Sequence, residues 1–92
     1  MKSVRLASFI KTFDKLPIEI KRQTVETYIK WKLNPKMLSL DFKNIRKNIY
    51  SIRVGLNYRA FAKKDKDTYM WFWIGSHEDY NKMIKQLNSI LN

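Results

Sequence analysis

The spacing of apolar residues changes twice along this chain, near residue 38 and at Ser76. Before residue 38 the period is helical. Residues 4–6 (VRL) are a candidate short strand, and ASFIKTFDKL (7–16) then places Phe9, Ile10 and Phe13 at helical spacing, with Ser8 as the candidate cap. Pro17 suits the first turn of a second helix, where its missing N–H does no harm. In that helix Ile18, Val25, Tyr28, Ile29 and Leu33 recur at three- and four-residue spacing and are expected on the inner side. Lys21, Arg22, Glu26 and Lys30 take the outer positions, and Asn34-Pro35 ends the helix, because the residue before proline avoids the helical region.

After residue 38 the period becomes two. SLDFKNI, IYSIRV, YRAFAK and TYMWFWI read as four strands rich in aromatic and β-branched residues, with hairpin loops at 55–57 and 64–67. From Ser76 the helical spacing returns, with Tyr80, Ile84, Leu87 and Leu91 near one face. The expected fold class is α+β in one domain spanning 1–92. It has two N-terminal helices, an antiparallel four-stranded sheet with a short N-terminal strand as an optional fifth, and a closing C-terminal helix, all in a single layer pair. Alternation assigns Tyr50, Ile52, Val54, Tyr58, Ala60 and Ala62 to the face under the helices. Ser51, Arg53, Arg59 and Phe61 fall on the other face, joined by Tyr69, Trp71 and Trp73, while Met70, Phe72 and Ile74 go to the core.

Charge then changes the picture. Nineteen Lys and Arg against eight Asp and Glu leave a net charge of +11 on 92 residues. An excess of that size predicts an anionic partner: nucleic acid, ribosome, membrane surface or an acidic protein. The absence of cysteine removes disulfides and thiolate metal sites and suits the cytoplasm. The N-terminal MKSVRLASFIKTF lacks the apolar block of a secretory leader, and no apolar run approaches a membrane span. One histidine without cysteine does not readily make a zinc site, Asp65 and Asp67 are too few for a calcium loop, and no glycine-rich phosphate loop is present. No metal and no cofactor is expected.

Two places hold candidate chemistry. If the loop after Val54 holds three residues, Arg53 lies directly opposite Arg59, where like charges repel unless an anion separates them. With no acid evident between them, phosphate is the expected occupant, since guanidinium presents paired donors to it. A two-residue loop would send the two arginines to opposite faces. The second place is Ser76-His77-Glu78-Asp79, which fits a helix cap followed by first-turn acids. His77, the only histidine, is not explained by capping. A histidine beside a phosphate site is what proton transfer in RNA cleavage requires. Tyr80 lies one turn further on, able to reach the same edge or to pack in the core. Aromatics on a basic face, such as Phe61 and Trp73, could stack bases.

FDKLP, NP followed by SLDFK, YSIRVGLNYRAF and WFWIGSHEDY occur in the order found in the RelE/ParE superfamily of toxins of type II toxin–antitoxin systems. The chain most resembles the RelE- or HigB-like members over about residues 5–84. The resemblance implies a RelE-like fold and a metal-independent endoribonuclease that cuts messenger RNA in the ribosomal A site. It implies that Arg53 and Arg59 stabilise phosphate charge, that His77 transfers a proton and that Tyr80 orients the RNA or stacks on a base. Lys43 falls where family members often carry a basic residue, and Arg46 and Lys47 are further phosphate candidates. The carboxylate base of some relatives is replaced here by Lys43 and Asn44. A ParE-like toxin that inhibits DNA gyrase by binding, without cutting RNA, is the alternative. Either reading implies a cognate antitoxin whose acidic or amphipathic segment covers the basic surface.

Overall fold

The computed structural model describes residues 1–91, the last two by backbone alone. The side chain of Leu91 therefore lies outside the described residues. The elements run β1 (Lys2–Arg5), α1 (Ala7–Asp14), α2 (Ile18–Leu33), a 3-10 turn (Leu38–Leu40), β2 (Lys43–Arg46), β3 (Ile49–Val54), β4 (Tyr58–Asp65), β5 (Thr68–Ser76) and α3 (His77–Leu91). The strand order is β1-β5-β4-β3-β2. β1 is parallel to β5, with Ser3 opposite Tyr69 and Arg5 opposite Trp71, while the other pairs are antiparallel. The fold is α+β as expected, with the optional N-terminal strand present at 2–5 as a parallel fifth member.

Several boundaries shift for local reasons. α1 starts at Ala7 with Leu6 as its N-cap residue, so Ser8 is not the cap, and Pro17 occupies the N-cap of α2 rather than its first turn. Asn34 is extended (φ −156°) ahead of Pro35 and stops α2. Of SLDFKNI, only Lys43 onward is strand. Leu38–Leu40 coil into the 3-10 turn, and Asp41 takes a left-handed conformation (φ 43°) that Asp tolerates better than most residues. That reversal lets Leu40 enter the core and Phe42 pack against it. The β4–β5 loop is only Lys66-Asp67, since Asp65 pairs with Thr68.

The β3–β4 hairpin has the three-residue loop Gly55-Leu56-Asn57, which pairs Val54 with Tyr58 and Arg53 with Arg59. Gly55 has φ +59°, and a Cβ there would lie 2.3 Å from Gln23 Oε1. Glycine supplies both the left-handed turn and the room.

A bulge in β5 makes the largest departure from strict alternation. Phe61 pairs with Trp73 but Ala62 pairs with Trp71, leaving Phe72 as the extra residue. Tyr69, Trp71 and Ile74 therefore share one face and join Phe9, Trp31, Ile52, Val54, Ala60 and Ala62 in the main core. Tyr69 and Trp71 are thus core residues and not part of the open face. Phe72 and Trp73 pack on the other side with Ile49, Phe61, Tyr80, Met83, Ile84 and Leu87. α3 accordingly covers the sheet face opposite α1 and α2, and the single layer pair becomes helices on both faces.

α2 also turns differently from its expected orientation. Its one fully buried residue is Trp31, held edge-on by Phe42, Tyr69 and Trp71 at centroid distances of 5.6, 5.3 and 5.2 Å. Ile20, Thr24 and Thr27 flank it at helical spacing and are partly buried, and Thr24 settles its hydroxyl by donating to the Ile20 carbonyl at 2.7 Å. Ile18, Val25, Tyr28, Ile29 and Leu33 face outward instead. A tryptophan brings more apolar area and edge-to-face ring contacts than any of these aliphatics, so its burial sets the rotation of the helix. Trp31→Ala should accordingly cost about 3–5 kcal/mol in urea unfolding, whereas Leu33→Ser should change stability by no more than about 0.5 kcal/mol.

Candidate functional site

On the α3 side of the sheet, register places the candidate residues in two adjacent rows. One row crosses three strands as Arg53, Arg59 and Gly75; the next crosses four as Lys43, Ser51, Phe61 and Trp73. α3 begins two residues after Gly75. Its Ser76 hydroxyl accepts the Asp79 N–H at 3.3 Å as an N-cap, and the His77 N–H donates to the Asn57 carbonyl at 2.7 Å. The Gly55–Asn57 loop therefore fixes where His77 stands relative to the arginine row. The His77 ring is exposed, 6.0 Å from that of Tyr80, and among the described residues no polar group hydrogen-bonds its imidazole.

Arg59 is the centre of the site and is only 6% exposed. Its Nη1 donates to Asp41 Oδ2 at 2.9 Å and its Nη2 to the Asp41 carbonyl at 2.9 Å. Nη2 also reaches Ser51 Oγ at 2.8 Å, and Nε reaches the same oxygen at 3.3 Å. The guanidinium lies 5.1 Å from the centroid of the Tyr80 ring, a cation–π distance. Tyr80 stacks in turn on Phe61 at 5.1 Å, and its hydroxyl is 3.4 Å from Ser51 Oγ. Arg53 diverges from its neighbour: exposed, it donates Nη2 and Nε to the Ser39 carbonyl at 3.1 and 3.3 Å.

The expectation that two arginines await an anion with no acid between them is corrected by Asp41. This residue already neutralises Arg59 and also draws Lys43 Nζ to 3.5 Å. Burial by itself would raise the Asp41 carboxyl, but the Arg59 hydrogen bond and charge, with those of Lys43, outweigh it and hold the group below its ordinary value. Sequence reasoning missed Asp41. Its signal was present, since alternation in SLDFKNI puts Asp41 and Lys43 on the arginine face and Leu40 and Phe42 on the other.

The remaining candidates divide by exposure. Phe61 is wholly buried beneath Phe72, Trp73 and Tyr80, and Tyr80 is 5% exposed, so neither presents a ring for a base to stack on. Both are supports of the site. Trp73 is half-buried, and its indole lies over Gly75, where a Cβ would come within 2.4 Å of Cζ2. Lys43 and Lys47 are exposed, and Arg46 donates to Asn88 Oδ1 at 2.8 Å from the edge strand. Among the described residues no group of three His, Cys, Asp or Glu could hold a metal ion, and no helix is long and apolar enough to cross a membrane.

The model of the ParE-like toxin domain matches residues 19–82, a span holding Asp41, Arg53, Arg59, His77 and Tyr80. The chain belongs to the ParE-like toxin family. Solved structures of such toxins share its fold. RelE in the RelB–RelE antitoxin–toxin complex from Methanococcus jannaschii is similar with a TM-score of 0.70 and 23% identity, covering 87% of this chain and 96% of that one. The isolated RelE toxin of E. coli gives a TM-score of 0.63 at 15% identity, covering 94% and 97%. A YoeB/ParE toxin from Agrobacterium tumefaciens gives 0.64 at 12%, covering 84% and 99%. No curated protein matches in sequence.

Arg59 and Asp41 carry two predictions for this ParE-like domain. Arg59→Ala should destabilise by roughly 2–3 kcal/mol in urea unfolding, less than the 3–5 of a fully enclosed pair because Asp41 stays in touch with water. Asp41 has its pKa depressed in the folded state, so its contribution is present above the unfolded value, near 3.8, and is lost as pH falls through the lower folded value. A melting series from pH 6 to pH 2 should show that acid loss in the wild type and a shallower one in Asp41→Asn.

Proposed function

We propose that this toxin is a ribosome-dependent, metal-independent endoribonuclease that cuts messenger RNA in the A site and so stops translation. The observation that carries this reading is the row Arg53, Arg59 and Gly75, in which buried Arg59 has exposed Arg53 on one side and, two residues beyond Gly75 on the other, exposed His77. In the proposed reaction the RNA 2′-oxygen gives up its proton and attacks the adjacent phosphorus, while the 5′-oxygen leaves and takes a proton. Arg53 needs only to release the Ser39 carbonyl to place paired donors on the phosphate. Arg59, its charge paired with Asp41, acts by position: with Ser51 and the Tyr80 ring it fixes the floor of the site, and the net positive charge beneath the phosphate is that of Lys43 beside the pair. His77 is the proton-transfer group. Lys43 and Lys47 extend the cationic surface along the RNA backbone, with half-buried Trp73 as an aromatic in the adjoining row. Tyr80 and Phe61 act by holding Arg59 and the start of α3 in place.

A second reading, inhibition of DNA gyrase by binding alone, draws support from the burial of Arg59 and Tyr80, which keeps both from direct contact with RNA. Either toxin would work in the cytoplasm under the control of a cognate antitoxin.

Primer extension on a translated messenger RNA separates the two. Cuts should require ribosomes and should weaken about 100-fold or more in His77→Ala and about 10- to 100-fold in Arg53→Ala, while both variants keep the wild-type melting temperature. Absence of cuts with the folded wild type would sink the nuclease reading and favour the gyrase one.

A further inference from the structure

Gln23 of α2, partly buried, lies against the turn of the β3–β4 hairpin. A Cβ on Gly55 would collide with Gln23 Oε1 and come within 3.2 Å of Cδ and 3.8 Å of Nε2, so the whole amide group rests on Gly55. Glycine leaves room for the amide, and its φ of +59° starts the turn toward β4. The rest of the loop has little to hold it. Leu56 is 91% exposed and Asn57 is also exposed, while Val54 and Tyr58 form the last pair of the hairpin.

This loosely held loop supplies the Asn57 carbonyl that accepts the His77 N–H at 2.7 Å. The bond lies one step beyond Tyr58 and Ser76, the last pair between β4 and β5, so its acceptor stands in the loop and not in a strand. Little else aims His77. Its imidazole is exposed and makes no hydrogen bond among the described residues, and the Tyr80 ring is 6.0 Å away. The direction of the imidazole is therefore set through the backbone that carries it.

We propose that Gln23 is a positioning residue for His77, acting from the other side of the sheet through the Gly55–Asn57 loop. The proposal rests on the nuclease reading, in which His77 transfers the proton. Gln23 touches no RNA. Its amide props the loop, the loop holds the Asn57 carbonyl, and that carbonyl holds the backbone from which the imidazole projects. A shift of about 1 Å in a group that must meet a reacting oxygen lowers a rate about 100-fold. The contact works by length and bulk, since the Gln23 side chain makes no hydrogen bond among the described residues.

The test compares wild type, Gln23→Ala, Gln23→Met, His77→Ala and the double variant Gln23→Ala, His77→Ala on translating ribosomes, each below the onset of its melting. Gln23→Ala should lower kcat about 10-fold with KM unchanged. In the His77→Ala background the same change should cost nothing further, because the two residues act as one unit. Gln23→Met keeps the length and bulk and should hold kcat within about twofold of wild type. In the free protein the His77 amide resonance should move, and its hydrogen exchange quicken, in Gln23→Ala but not in Gln23→Met. An unchanged kcat in Gln23→Ala, a loss carried by KM, or losses that multiply in the double variant would each overturn the proposal. So would a His77 amide that stays in place in Gln23→Ala. A folded wild type that makes no cuts overturns the nuclease reading, and the amide measurement then decides by itself whether Gln23 places His77.

Discussion

Because Phe72 is an extra residue within β5, this one strand furnishes aromatic side chains to two cores at once. Without the bulge, Trp71 and Trp73 would point to the same face, and either Trp31 or Phe61 would lose a ring partner. With it, Tyr69, Trp71 and Ile74 close on α1 and α2, while Phe72 and Trp73 meet α3. The bulge is therefore the condition for covering the sheet with helices on both sides. β-Bulges commonly re-aim side chains next to functional sites, and here the re-aimed residues border the arginine row.

The arginine row shows how a small domain keeps two like charges at directly opposed positions. The usual remedy is an anion between them, but this chain separates them by environment. Arg59 is drawn under the Tyr80 ring and tied to Asp41 and Ser51, while Arg53 leans outward to the Ser39 carbonyl. One becomes a fixed, charge-paired part of the framework; the other keeps a weak, exchangeable partner. The loop that bonds the His77 amide also sets the arginine register, so the groups of the site share one mechanical reference.

Much of this was legible in the sequence where short-range rules decide. The hairpin parity at Gly55, the cap at Ser76, the stop at Asn34-Pro35 and the order of elements all follow from local steric and hydrogen-bonding requirements. What the sequence concealed depends on contacts between distant segments. The rotation of α2 could not be seen from its own spacing, because Ile18, Val25, Ile29 and Leu33 make a better apolar stripe than Ile20, Thr24, Thr27 and Trp31. Only the aromatic surroundings of Trp31 decide between them. Period-two reasoning also failed across the bulge: strict alternation put Tyr69 and Trp71 on the same face as Trp73, whereas the extra residue Phe72 sends them to the opposite one. Asp41 was hidden inside an apparent strand, and its role appears only once the 3-10 turn carries it over Arg59.

The two edge strands read KSVR and KNIR, each opening with lysine and closing with arginine. A sheet edge offers unpaired N–H and C=O groups to any passing strand, and lysine and arginine there are the common safeguard against growth of the sheet into fibres. Part of the high positive charge of this small domain is thus a guard on colloidal behaviour, separate from any ligand. An acidic protein that neutralised those edges would remove the repulsion, and it would need to occupy them as well, or the complex would be more prone to aggregate than the free chain.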